Sequence, residues 1–318
     1  MNKYNFQTYI DFGSSKIRMG VFDYELPKNN LYNQIKCISN FDIEKLNLDT
    51  SKNLINKIIQ SSEKELDLHI KNITLMIDAP DVQSFDFSIK KNLDAKSSLF
   101  EDIKFLLQDA RQLAQKNNDK KIIIHTLIEK IIVDEKIYNE FPNDNIDYKS
   151  IALELKFIYI SEIFYNTIIK HFKLIHIKVD SVLCSSYVKS LNYNQYFNDY
   201  NKKTFLDIGY KKSCVTVFDK EKLILFKTIP LGGNHITKDI SKVLDIEFVE
   251  AEHIKQSLNK KEATFSDNSQ EELFSNKLLS SSIKNNISLD LLKKVIHARI
   301  DEIFNLIFQN IKFDEILN

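Results

Sequence analysis

Apolar and polar residues alternate on both sides of a D-x-G turn in two places, YIDFGSSKIRMGVFD at 9–23 and FLDIGYKKSCVTVFD at 205–219. Period-two alternation around a turn predicts a β-hairpin in each. The two stretches align without a gap. Six of fifteen positions are identical: Asp11/Asp207, Gly13/Gly209, Lys16/Lys212, Val21/Val217, Phe22/Phe218 and Asp23/Asp219. The match predicts a duplicated α/β unit, each half opening with a hairpin, and a ligand cleft between the halves.

The pattern between the hairpins predicts a strand over 70–76, ending near Pro80, and a helix over 97–116. That helix carries a Ser98–Glu101 capping box and a face of Phe100, Ile103, Leu107, Ala110 and Leu113. Strands are predicted at 121–133 and 151–160, with a loop at 139–147 between them. A helix at 161–172, a strand at 174–182 and an Asn/Tyr-rich connector at 192–203 lead into the second hairpin. Residues 222–229 extend that hairpin to three strands, and helices follow at 236–244 and 248–258. A polar stretch at 259–286 reads as loop. Over 288–316, Leu289, Leu292, Ile296, Ile300, Ile303, Ile307 and Ile311 recur at steps of three or four, which predicts one amphipathic helix or two. Its polar face mixes acidic and basic residues, the mark of a packed helix rather than a membrane-surface one.

Composition narrows the picture. The 318 residues suffice for two domains. Lys+Arg and Asp+Glu are both 44, so no net charge draws the chain to nucleic acid. Cys37, Cys184 and Cys214 are widely spaced, without a CxxC pair, and read as reduced cytosolic thiols rather than metal ligands. No run approaches the roughly 18 apolar residues of a membrane span, and the N-terminus lacks a signal-peptide core. Glycine is the informative count: five, where an average chain would hold roughly twenty. Gly13, Gly20, Gly209, Gly232 and Gly233 all fall in or beside the two hairpins and the LGG segment. Glycine is required where φ is positive or where a ligand approaches the backbone.

These residues resemble the actin-like ATPase superfamily, and within it the bacterial cell-division FtsA family. YIDFGSSKI is similar to that family's first phosphate segment and LDIGYKK to its second. TIPLGGNHITKDISKVLDIEFVEAEHIK at 228–255 is similar to its long I-P-x-G-G-x-x-I-T-x-D-I-A…A-E-x-I-K run. The resemblance extends in order along the whole chain, including DLLKKVIHARIDEIFNLI. It implies an α/β, actin-like (duplicated RNase H-like) two-domain fold with an inserted SHS2-type subdomain, shortened at its C-terminal end. Residues 1–84 and 162–192 would form the first domain (1A), 85–161 the insertion (1C), and 203–318 the second domain (2A/2B).

The resemblance also implies a site for ATP and Mg²⁺. Asp11 and Asp207 would hold the metal through its waters and position the attacking water. Gly13, Ser14, Ser15 and Lys16 would approach phosphates from one side, Gly209 and Lys212 from the other. Gly232 and Gly233, opening a helix, would present amides to anionic groups, and Glu252 and Lys255 would reach ribose and adenine. His235 and His253 read as incidental. Two departures stand out. Lys211 occupies a family glycine position, so Lys211 and Lys212 either replace backbone donors with side-chain charge or mark a loop that no longer closes on phosphate. The sequence also stops at Asn318, where the family continues with an adenosine segment, a linker and a membrane-binding amphipathic helix.

The implied function is a cytoplasmic adaptor at the inner membrane face of the division site, with a weakened or lost ATP site. It would bind the C-terminal tail of the tubulin-like FtsZ on residues 222–288 and the helix after them, with Arg299 facing the acidic tail. It would meet other divisome proteins through the 1C insertion, self-associate, and touch the membrane only peripherally or through partners. The alternatives are a PilM-like pilus-assembly actin homologue and a sugar- or acetate-kinase-type phosphotransferase.

Overall fold

The computed structural model describes residues 6–25, 30–37, 48–79, 81–92, 98–138, 140–142, 147–197, 199–262 and 289–309. They form two compact units: residues 1–205 with 215–227, and 206–214 with 228–318. The expected loop over 259–286 and the expected helix end over 310–316, with Ile311, fall mostly or wholly outside the described residues, as do Pro80 and the tip of the 139–147 loop.

The first unit is built on β1 (Phe6–Phe12), β2 (Lys16–Asp23), β3 (Asn30–Cys37), β4 (Asn72–Ile77) and β9 (Lys178–Cys184), in the order β3-β2-β1-β4-β9. β1, β2 and β3 pair antiparallel; β1, β4 and β9 pair parallel. Alternation sorts the faces: Ile10 and Phe12 of β1, Ile17, Met19 and Val21 of β2, and Ile73, Leu75 and Ile77 of β4 are all buried. β3 and β4 run in the same direction in this sheet, so the step between them needs a crossover. Helix α1 (Leu48–Leu66) supplies it and buries Ile55, Ile58 and Ile59. Neither β3 nor α1 was among the expected elements.

A second sheet follows in the chain: β5 (Gln83–Asn92), β6 (Lys121–Val133), β7 (Lys136–Tyr138) and β8 (Ser150–Ser161), antiparallel, in the order β5-β8-β6-β7. Helix α2 (Leu99–Lys116) lies against one face. Leu153, Leu155 and Phe157, alternating along β8, meet Leu99, Ile103, Leu106, Ala110 and Ala114 of α2. The expected apolar face is therefore rotated. Phe100 and Leu113 are exposed, and the true stripe runs through two alanines that let helix and sheet approach closely. The capping box does not form. Ser98 is the N-cap, but its hydroxyl makes no capping bond and Glu101 is exposed. β5 was not anticipated as a strand.

Helix α3 (Glu162–Leu174) begins at Ser161, whose hydroxyl accepts the Phe164 N–H at 3.2 Å. Helix α4 (Ser185–Tyr196) follows β9 directly, so the expected connector at 192–203 is in part helix. β10 (Lys202–Ile208), β11 (Ser213–Asp219) and β12 (Lys222–Ile229) form a three-stranded sheet in that order. Links this short allow only antiparallel pairing. Helices α5 (Gly233–Leu244), α6 (Phe248–Glu262) and α7 (Leu289–Phe308) come last. Ile236 and Ile240 of α5, Ala251, Ile254 and Leu258 of α6, and Leu292 of α7 form one core, with Ile296 and Ile300 packed on it. α7 is a single helix throughout its described length.

No glycine in the described residues has positive φ. Asp67, Asp134, Glu135, His176, Lys220 and Asp245 hold that conformation instead. The retained glycines serve a different purpose.

Candidate functional site

At Gly13, Gly209 and Gly232 that purpose is close packing of backbone on backbone. In the first hairpin the Gly13 N–H donates to the Lys16 carbonyl at 3.0 Å; in the second the Gly209 N–H donates to the Lys212 carbonyl at 2.9 Å. A Cβ at Gly13 would stand 3.0 Å from the Lys16 oxygen, and one at Gly209 2.9 Å from the Lys212 oxygen. The aligned sequences thus fold into the same turn, closed by the same bond. The paired lysines differ: Lys16 is exposed, whereas Lys212 is buried. Ser14 and Ser15 form the half-buried bend of the first turn, and Asp207 is half-buried near the end of β10.

In the second unit, the 209–212 turn is locked to the start of α5. Gly232 has no room for a side chain, since a Cβ would collide with the Gly209 carbonyl and stand 2.9 Å from both the Tyr210 oxygen and the Lys212 nitrogen. The Gly233 N–H donates to the Gly209 carbonyl at 2.8 Å, and the Asn234 N–H to the Tyr210 carbonyl at 2.7 Å. The Gly232 N–H donates to Nδ1 of His235 at 3.1 Å. The amides that usually make a helix N-terminus an anion site are therefore engaged within the chain.

Glu252 and Lys255 complete this lock. Lys255 Nζ donates to the Gly233 carbonyl at 2.9 Å, to Thr237 Oγ1 at 2.6 Å and to Glu252 Oε2 at 2.7 Å. The fully buried Thr237 hydroxyl also meets the Glu252 carboxylate. Burial works to raise the Glu252 pKa, but hydrogen bonds from Lys255, Thr237 and Gln256 outweigh it and hold the carboxyl below its usual value. Burial, then the nearby Glu252 charge, raises the Tyr210 phenol. His235, read from sequence as incidental, braces the start of α5. Burial, Lys238 and Arg299 depress its pKa and keep Nδ1 free to accept.

Arg299 is also engaged. Its Nε and Nη2 grip Asp239 of α5 at 2.5 and 2.9 Å, and Nη1 meets Glu302. This bidentate pair ties α7 to α5.

In the first unit, three consecutive residues at the β9–α4 junction each hold a different element. The Cys184 N–H donates to Nε2 of His125 on β6 at 2.8 Å. The Ser185 hydroxyl donates to Asp11 Oδ1 on β1 at 2.7 Å. The Ser186 N–H and hydroxyl both donate to Asp78, just beyond β4, at 3.2 and 2.8 Å. Arg18 Nη1 binds the other Asp11 oxygen at 2.8 Å. His125, Asp78, Ser185 and Ser186 were not among the residues expected from sequence. Their signals are a lone histidine in the apolar run KIIIHTLIEK and a CSS tripeptide where a strand gives way to a helix.

These side chains have the right chemistry for a metal–nucleotide complex, carboxylates for Mg²⁺ and amides and lysines for phosphate. As arranged they do not fit one: Asp11 already has Arg18 and Ser185, and the Gly233 and Asn234 amides have carbonyl acceptors. The first hairpin lies in the first unit, whereas the second is divided, with its turn at 206–214 in the second unit.

Residues 204–307 match the family model described as Cell division protein FtsA. A stretch of 107 residues is 31% identical to the Cell division protein FtsA of Bacillus subtilis (strain 168), covering 34% of this chain and 24% of that protein. The matched part is thus about a quarter of the relative's length. Among solved structures, the chain is similar to a PilM-PilN type IV pilus biogenesis complex, at 8% identity over 98% of this chain and 77% of that one, with a TM-score of 0.63. The fold is that of the actin-like ATPases. Residues 204–307 are the part of the chain that the FtsA family model matches.

Proposed function

We propose that this chain is an FtsA-like cell-division adaptor that binds the FtsZ C-terminal tail and links the Z-ring to the cytoplasmic face of the membrane, with an ATP site that is weak or lost. The observation that carries this reading is the FtsA-family match over residues 204–307. That span holds the turn at 209–212, the Gly232–Gly233 step and the α5–α6–α7 core. No helix among the described residues is long and apolar enough to cross a membrane, so membrane contact would be peripheral or through partners.

The tail would dock on residues 222–288 and α7, and the sheet at 83–161 with α2 would be the SHS2-type 1C insertion that meets other divisome proteins. Arg299 faces competition: an acidic tail must take it from Asp239 and Glu302. ATP and Mg²⁺ would have to open bonds now closed within the chain at Asp11 and at Gly233. Cosedimentation with assembled FtsZ filaments tests the adaptor reading. The chain should pellet with the filaments, and should not pellet with filaments lacking the tail. Recovery in the supernatant in both cases would refute it.

A second reading is favoured by the fold likeness over 98% of the chain to the PilM–PilN complex. On that reading the chain is a PilM-like partner-binding protein, and a peptide from a PilN-type protein, rather than the FtsZ tail, would bind.

A further inference from the structure

Asp11 and Arg18 face each other across the β1–β2 ladder as direct register partners. Directly opposed residues on one face lie close enough for side chains to meet without strain, and here the guanidinium reaches the carboxylate at 2.8 Å. The Asp11 side chain is 13% exposed and its second oxygen takes the Ser185 hydroxyl. Both oxygens are therefore occupied, and the charge is balanced by a cation from the same hairpin. In the second hairpin the position aligned with Arg18 is Cys214, a buried thiol.

A divalent cation approaching Asp11 would lie within a few ångströms of the Arg18 guanidinium, and like charges that close repel. We propose that Arg18 is a built-in counter-ion that takes the place of the metal at Asp11, so that the N-terminal half of the site is complete without Mg²⁺ and selects against metal-bound nucleotide. This rests on the reading of Asp11 as the metal-side carboxylate. It is independent of tail binding, in which neither residue takes part.

Thermal unfolding of the full chain tests it, in EDTA, in millimolar Mg²⁺, and in each with ATP added. Wild type should melt at the same temperature with and without Mg²⁺, ATP present or not. Arg18→Gln should melt several degrees lower in EDTA and recover at least half of that loss in Mg²⁺ with ATP. Arg18→Lys, which keeps the charge, should remain indifferent to Mg²⁺. Adding Asp11→Asn to Arg18→Gln should abolish the recovery, which separates metal binding at this carboxylate from general ionic effects. A wild-type protein stabilised by Mg²⁺ as strongly as Arg18→Gln would overturn the proposal. So would an Arg18→Gln protein that folds but shows no response to Mg²⁺.

Discussion

Nε2 of His125 accepts a hydrogen bond from the backbone N–H of Cys184 at 2.8 Å, joining β6 of the four-stranded sheet to the end of β9. The bond requires an unprotonated Nε2. Burial holds the ring pKa down to about 4, and the Tyr187 ring sits edge-on at 4.9 Å.

A pH dependence of stability follows. The folded-state pKa lies below the ordinary 6.5, so the folded protein binds fewer protons than the unfolded chain between these values. The contribution is fully present above about pH 6.5 and is lost as pH falls towards about 4, on the order of 3 kcal/mol in all. Urea unfolding across this window should show the loss. His125→Gln, whose amide oxygen can accept the same N–H but does not titrate, should flatten that part of the profile.

Gly232 and Gly233 are adjacent and alike in sequence but unlike in their surroundings. A Cβ at Gly232 meets the backbone of the 209–212 turn, whereas at Gly233 its nearest neighbours are 3.7 Å away. Gly232→Ala should cost about 1–3 kcal/mol, and Gly233→Ala less than about 0.5 kcal/mol. Chemical denaturation of the two variants beside wild type checks the difference.

Lys255 joins α6 to α5 through the Gly233 carbonyl and Thr237 Oγ1, and pairs with Glu252 of its own helix. Lys255→Met keeps the aliphatic length but leaves Glu252 and the Gly233 carbonyl without it, and should destabilise by about 1–3 kcal/mol. The same variant should increase hydrogen exchange at the Gly233 and Asn234 amides, which a purely local surface effect would leave unchanged.

Lys220 sits at φ 53° in the turn between β11 and β12. A left-handed conformation costs a side-chain-bearing residue roughly 1–2 kcal/mol, and part of any gain from glycine is offset by unfolded-state entropy. Lys220→Gly should therefore stabilise the protein by about 0.5–1 kcal/mol, measured as a higher denaturation midpoint with unchanged slope.

Much of the site-bearing framework was legible in the sequence because it repeats. The shared D-x-G turn, the LGG step and the steps of three and four in α7 each leave a pattern that survives this chain's bias towards Asn, Lys and Ile. What escaped did so for physical reasons. Helix α4 buries Ser185, Ser186, Ser190 and Asn194, so its inward face is polar and gives no hydropathic period. The α2 face was placed in part: Ile103 and Ala110 are buried as expected, but Leu99, Leu106 and Ala114 complete the contact while Phe100 and Leu113 stand in solvent. The serine partners of Asp11 and Asp78 come from more than 100 residues away, a juxtaposition that no local pattern encodes. The role of glycine was legible as scarcity. Its cause at Gly13, Gly209 and Gly232, backbone packed on backbone, lies in contacts across the fold.

The adaptor reading is tested most directly by titrating the purified chain with a labelled peptide of the FtsZ C-terminal tail and following anisotropy. The account predicts saturable binding at about 1–100 μM, equal with and without ATP and Mg²⁺, and weakened by Arg299→Ala. No binding of the tail by the folded chain, or binding that appears only when Mg²⁺ and ATP are both present, would contradict it.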